Sequence, residues 1–329
     1  PTPLFEISQR WKVTPLPEKW ATAPLACPVM TVFETRPEPL PLHHGAIGNG
    51  RVIALVAPDT SIDWLCLPRF DSPSVFARLL DRERGGAWAF KPVDDWRATA
   101  GYVRNTNVLR TELETGDGRC ELYDFAPRVP EGLQVDAPIE ICRLFVPISG
   151  SPRLRMHFDP KPDYARANFE IVAAGHGVEV VGGPRRLYLR SNVPAPYLID
   201  GSPIRIDRPI YFSLSAGKPP QVDSAPASQT ALDQTILGWR VWAKTCALPS
   251  FAPDAVLRSA LCLKLHAYND TGAIIAAATT SIPEGIGSGR TWDYPFCWLC
   301  DAAFVVEGLR RLSHIAEDEA FLRFLRGKA

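Results

Sequence analysis

Between His43 and Leu214 turn-forming clusters recur: Pro58-Asp59-Thr60, Gly116-Asp117-Gly118, Gly150-Ser151-Pro152, Gly182-Gly183-Pro184 and Asp200-Gly201-Ser202. Proline removes a backbone donor and glycine tolerates the left-handed conformations of tight turns, so the chain between them is confined to short elements. Those segments are rich in β-branched and aromatic residues. They predict strands at Arg51–Ala57, Ser61–Leu67, Val108–Leu113, Cys120–Phe125, Ile139–Val146, Arg153–Phe158, Phe169–Ala173, Arg186–Arg190, Ile204–Ile206 and Ile210–Leu214. The first two read as a hairpin, and in the second a period of two puts Ile62, Trp64 and Cys66 on one face with Asp63 opposite. Many short strands with such punctuation predict an antiparallel β-sandwich, here over residues 43–220.

After the polar stretch Val222–Gln229 the period becomes helical. Asp233–Lys244, carrying Trp239 and Trp242, predicts a helix within a linker spanning 221–253. Asp254, following Pro253, reads as the N-cap of a helix over Ala255–Tyr268, whose Leu257, Leu261 and Leu265 share a face. A last helical segment starts near Cys297, with Val305, Leu309, Leu312 and Ala316 at helical spacing and Phe321, Leu322 and Leu325 extending the apolar surface. The fold class is therefore mostly β: a sandwich followed by a few helices in 254–329.

Residues 1–42 are of a third kind. Prolines at 1, 3, 15, 17, 24, 28, 37, 39 and 41 block helices and central strands, yet the stretch carries Phe5, Trp11, Trp20, Leu25, Val29 and Phe33. It reads as an extended arm without a core of its own, docked along the body or onto a partner through Phe5, Trp11 and Trp20. A protein partner or a second copy of the chain is expected to bind there.

Composition excludes several roles. With 36 basic and 36 acidic residues there is no field to attract nucleic acid. The longest apolar runs, such as that around Ile274–Ala278, fall far short of the ~20 residues a membrane-spanning helix needs. The eight cysteines are widely spaced, and Cys66, Cys142 and Cys262 lie inside apolar runs, which predicts buried free thiols and a reducing, cytoplasmic location. Neither the Cys297-Trp298-Leu299-Cys300 pair nor the His43-His44 doublet brings enough ligands for a metal, and the doublet reads as solvated. Gly45–Gly50 precedes a strand instead of opening a helix, so it is no phosphate loop, and no cofactor is expected.

Two blocks go further. Ala46–Pro92 and Arg258–Leu309, the latter containing Arg290-Thr291-Trp292-Asp293-Tyr294-Pro295-Phe296-Cys297-Trp298-Leu299-Cys300-Asp301-Ala302, resemble bacterial glycoside hydrolases of family 15, the glucoamylase and trehalase-like group. The resemblance runs from about residue 44 to the C-terminus. It implies a β-sandwich, a helical linker and the start of a barrel of paired helices, and it implies inverting hydrolysis of terminal α-glucosidic bonds. Inversion needs one carboxylic acid to protonate the leaving oxygen and one carboxylate to activate water. The resemblance places both glutamates downstream of the matched block, so by family position this chain supplies no catalytic pair.

Substrate contacts are also altered. Asp301 matches the family's glucose-gripping aspartate, but Cys300 stands where an arginine belongs, Pro295-Phe296 replaces an arginine-tyrosine pair, and Thr291 replaces an asparagine. A thiol has one weak donor where a guanidinium has five in a fixed fork. Trp292, Asp293, Trp298 and Asp301 are thus the residues of a remnant glucose subsite, with an α-glucoside as its ligand; the bland alternative is core tryptophans beside acids at a helix N-terminus. Glu284 lies in a loop typical of the family. Two roles are expected from this reading: a non-catalytic binding or scaffolding subunit of a larger assembly, or the N-terminal part of a hydrolase whose barrel continues past Ala329.

Overall fold

The computed structural model describes residues 43–132, 134–279 and 292–327. The arm, with Phe5, Trp11 and Trp20, and the loop containing Glu284 lie outside the described residues, as do Arg290 and Thr291.

The strands in chain order are β1 (Gly45–Gly48), β2 (Ile53–Val56), β3 (Ile62–Cys66), β4 (Ser74–Phe76), β5 (Ala87–Pro92), β6 (Trp96–Tyr102), β7 (Leu109–Thr115), β8 (Gly118–Phe125), β9 (Val129–Glu131), β10 (Gln134–Asp136), β11 (Glu140–Gly150), β12 (Arg153–Asp159), β13 (Glu170–Ala173), β14 (Gly177–Val181), β15 (Leu187–Ser191), β16 (Ile204–Arg205) and β17 (Ile210–Ala216). Their ladders form two antiparallel sheets and a small ribbon. One sheet has the order β1-β2-β3-β5-β12-β16 with β4 beside β3; the other has the order β13-β14-β15-β17-β11-β8-β7-β6; β9 and β10 pair separately. The expected hairpin is present, with Leu55 opposite Trp64 and a register shift before Val56. Strands β1, β4, β5, β6, β9, β10 and β14 were not expected from pattern alone. Several carry glycine, proline or exposed residues that hide the alternation, and pairing with a neighbour makes them strands.

The sheets face each other over an aromatic centre in which Trp88, Phe90, Phe145 and Phe212 are fully buried. Phe90 and Phe145 meet edge to face at 4.8 Å and 87°. Such pairs add about 0.5–1.5 kcal/mol beyond the area they bury. A buried ion pair crosses this core. Arg143 on β11 donates from Nε to Asp124 on β8 at 2.7 Å, and from Nη1 to the Trp88 carbonyl of the opposite sheet at 2.7 Å. A third bond reaches the Thr60 carbonyl, so the guanidinium ties the two sheets together. Alternation does not reveal this arginine, because its neighbours Cys142 and Leu144 are equally buried.

The helices are α1 (Ala195–Asp200), α2 (Ala225–Lys244), α3 (Pro253–Leu265), α4 (Leu299–Arg311) and α5 (Ile315–Arg326). Three expectations are corrected here. First, α2 begins eight residues before Asp233, because Ser224 caps it by accepting from the Ala227 amide and Pro226 is tolerated in a first turn. Second, Asp254 is not the N-cap of α3. Ala252 holds that place in a left-handed conformation, and Asp254 lies in the first turn, where its charge still suits the dipole. Third, the last apolar run is two helices, broken at Leu312–His314 where Ser313 takes φ 70°.

α2 packs on the outer face of the eight-stranded sheet, and α3 joins it in the same apolar cluster. Leu232 and Trp239 of α2 join Leu257, Leu261 and Leu265 of α3 in one cluster with Phe125, Cys142 and Leu144. Each such aliphatic side chain contributes about 1.5–3 kcal/mol by leaving water. Polar seams fix the register. Arg258 of α3 donates to the Thr106 carbonyl at 2.7 Å and lies 4.0 Å from the Tyr102 ring centre, while Asn107 donates to the Leu261 carbonyl at 3.0 Å. At Gly50, φ is +92° and an added Cβ would sit 2.4 Å from the Asn269 side chain, so only glycine lets this turn reach the loop after α3.

Candidate functional site

The four matched residues gather at the start of α4. A backbone turn over Asp293–Phe296 is held against the loop after α3: the Ala276 and Ala277 amides both donate to the Tyr294 carbonyl, at 3.1 and 3.2 Å. The Trp298 indole donates to the Asp293 carbonyl at 3.1 Å. Trp292 meets Trp298 edge to face at 6.0 Å and 85°, and Tyr294 lies 6.1 Å from Trp298. Trp298 is itself the N-cap residue of α4 and offers no side-chain cap, so Asp301 is the acid of the first turn, favoured there by the helix dipole.

The motif is open to water. Trp292 is 44% exposed, Asp293, Cys300 and Asp301 are exposed, and Trp298 is half-buried. Trp292 is therefore no core tryptophan. Neighbouring apolar side chains are also bare, with Leu299 63% and Phe304 81% exposed. Carboxylates and indoles so placed can accept hydroxyl hydrogens and lie against a sugar ring. Among these four residues the structure brings Trp292, Asp293 and Trp298 into direct neighbourhood and sets Asp301 one helical turn on.

Helices α2, α3 and α5 are joined by a largely buried polar cluster that sequence reasoning missed. Glu317 of α5 accepts from the Trp242 indole of α2 at 3.1 Å and pairs with Lys264 of α3 at 3.0 Å, both on Oε1. His314 stacks on Trp242 at 4.1 Å, and its Nε2 lies 2.9 Å from Cys246 Sγ. Burial raises the Glu317 carboxyl, but the Lys264 charge and hydrogen bond outweigh it and hold the group below its usual value. Burial lowers His314 and Lys264, and pushes the Cys246 thiol up to about 11. No local pattern announces this cluster, because its members come from three helices far apart in sequence.

Two smaller expectations are corrected. His44 is not solvated: its Nε2 lies 3.1 Å from Asp63, and its side chain is 9% exposed. Cys66, Cys120 and Cys142 are buried free thiols as expected, whereas Cys262 and Cys300 are exposed. Among the described residues there is no cluster of histidine, cysteine and acidic groups able to hold a metal, and no helix long and apolar enough to cross a membrane.

Comparison with known proteins decides the family. The model of the trehalase-like N-terminal region matches residues 35–194, and that of glycosyl hydrolases family 15 matches residues 250–328. The chain belongs to glycoside hydrolase family 15. Similar proteins include the trehalase of Thermoplasma volcanium, 33% identical over 297 residues that cover 85% of this chain and 46% of that one. Trehalase 1 of Sulfolobus acidocaldarius is 31% identical over 85% of this chain and 47% of its own. The trehalase of Mycolicibacterium smegmatis is 28% identical over 86% and 46%. This family 15 chain spans about half the length of the curated relatives it matches. From residue 43 on, the first matched region lies within the sandwich, its residues 35–42 being outside the described residues, and the second takes in α3, α4 and α5.

Proposed function

We propose that this chain supplies the sandwich and the opening barrel helices of a hydrolase of terminal α-glucosidic bonds, with trehalose as the substrate the relatives' names indicate. In this reading 1–42 is an arm, 43–220 the sandwich, 221–253 the helical linker and 254–329 the first part of the barrel. The observation that carries it is the Trp292–Trp298 pair with Asp293 and Asp301, presented to solvent at the head of α4. There they would form one wall of a glucose subsite, indoles against the ring and carboxylates on hydroxyls. The proton donor and the water-activating base belong, by the resemblance, to loops downstream of the matched block. The test is glucose release from trehalose and maltose by the full protein. Asp301→Asn and Trp298→Ala are expected to raise KM at least tenfold; unchanged kinetics in both would sink the assignment.

A second reading rests on Cys300 and on Pro295-Phe296, which replace the guanidinium and the arginine-tyrosine pair of the family motif. Rigid polar geometry is what a sugar site requires, and these changes remove it together. Under this reading the chain is a non-catalytic binding or scaffolding subunit, assembled with a protein partner or with its own copies. Intact fold with no turnover and no trehalose binding would favour it. Binding restored by Cys300→Arg would show that the loss lies in this motif.

A further inference from the structure

The eight-stranded sheet is only partly covered. α2 lies over β8, β11 and β17, while β6, the last strand of that sheet, has no strand partner on its far side among the described residues. Between α2 and this open flank runs a groove of about 380 Å³ lined by Gly101, Tyr102, Arg104, Arg110, Tyr123 and Ile236, among others. Its floor is low because a Cβ at Gly101 would meet nothing within 4 Å. Ile236 forms an apolar wall. On the floor Arg110 pairs with Glu121 at 3.1 Å, and the Tyr123 hydroxyl donates to the other oxygen of Glu121 at 2.6 Å. That network fixes one guanidinium and one phenol ring with spare hydrogen-bonding capacity.

The charge at the groove is unbalanced. The Arg104 guanidinium has no acidic partner among the described residues, and Arg240 of α2 is likewise unpaired, its Nε donating to the Arg104 carbonyl at 3.4 Å. Arg104 and Arg110 line the groove and Arg240 lies beside Arg104, while Glu121 is tied to Arg110 and its cross-strand neighbour Glu112 is matched by Arg119 at 3.5 Å. Planar guanidinium forks recognise oxyanions in two-point geometry. A tyrosine ring and an isoleucine beside them suit an uncharged body attached to that anion.

We propose that this groove is a ligand site, separate from the α4 motif, for a small molecule bearing an oxyanion, phosphate or carboxylate, on a compact polar body of up to about disaccharide size. Arg104 and Arg240 hold the anion, Arg110 orients it through its tie to Glu121, and Tyr123 packs on the body. The proposal is independent of whether the α4 motif binds sugar.

The test is a heteronuclear NMR titration of the full protein with inorganic phosphate, glucose 6-phosphate, glucose and citrate at constant ionic strength. Saturable shifts at Thr99–Arg104 and Tyr123 are expected with the anions and not with glucose. A body contribution makes glucose 6-phosphate bind at least threefold tighter than phosphate, and citrate against phosphate separates the carboxylate from the phosphate source. Arg104→Gln, at an exposed position, should weaken binding about tenfold with an unchanged fold by circular dichroism, whereas Arg119→Gln should not. Absence of saturable shifts, or equal weakening by Arg104→Gln and Arg119→Gln, would overturn the proposal, the latter because it would mean diffuse charge attraction only.

Discussion

The sandwich and the α4–α5 pair solve the burial problem differently. In the sandwich a large apolar set closes on itself: both sheets donate inward residues, and even a full ion pair, Arg143 with Asp124, is removed from water. The described part of the α4–α5 region has a small apolar cluster, Ala267, Ile274, Ala302 and Phe321, while Leu299, Phe304, Ile315 and Leu322 face solvent. It is fastened to α2 and α3 through the Glu317 cluster. One region holds by area, the other by a few polar pins. Area is spread over many residues and tolerates single changes; a pin concentrates the same hold in one carboxylate.

This contrast can be broken by substitution. The largest effect is expected from Arg143→Met, which leaves Asp124 buried without its cation and should cost about 3–5 kcal/mol in denaturant unfolding. Adding Asp124→Leu should return much of it, and failure to do so would mean that the backbone bonds to Trp88 and Thr60, not the charge, hold the sheets. Next comes Glu317→Gln, at about 3 kcal/mol, because Lys264 is then buried without its counter-charge. Hydrogen exchange should quicken in α5 and leave β11 protected; uniform loosening would refute the two-region picture. Since the folded state holds the Glu317 carboxyl below its usual value, its contribution is present at neutral pH. That contribution fades as pH falls from the unfolded value through the lower folded one.

Glu140 tests the seam between the sandwich and α2. Its buried carboxylate accepts from the Gln221 amide at 2.8 Å, just before α2, and burial pushes it up to about 7. A raised carboxyl favours the protonated fold, so stability is full at low pH and declines as pH rises from the unfolded value through about 7. Glu140→Gln should remove that decline and make the protein about 1–3 kcal/mol more stable at pH 8, read from unfolding curves at pH 5 and pH 8. A decline that survives the substitution would assign it to another group. The smallest effect is expected at Phe304. Phe304→Ser should change stability by less than about 0.5 kcal/mol. It should nevertheless reduce concentration-dependent association in analytical ultracentrifugation, because the side chain it removes lies on an open apolar surface.

Much of the fold was legible before any coordinates. Turn chemistry and β-branched alternation located β2, β3, β7, β8, β11, β12, β15 and β17, and the change to helical period located α2 and α3. Ranges failed where a local signal had a rival: Pro226 concealed the true start of α2, and an unbroken apolar run concealed the corner at Ser313. Of the candidate site, the residue types and their order were readable, including a cysteine at 300 where the resemblance leads one to expect an arginine.

Sequence by itself determined the β-then-α order, the family, and which side chains stand in the motif at the head of α4, because each follows from neighbours along the chain. The tertiary structure alone decided that His44 meets Asp63, that Arg143 joins two sheets, that Glu317 gathers Trp242 and Lys264, and that Arg104 and Arg110 line one groove. Those contacts join residues from separate elements, and an interaction between distant residues leaves no periodic trace; it exists only once the chain has closed and water has been excluded.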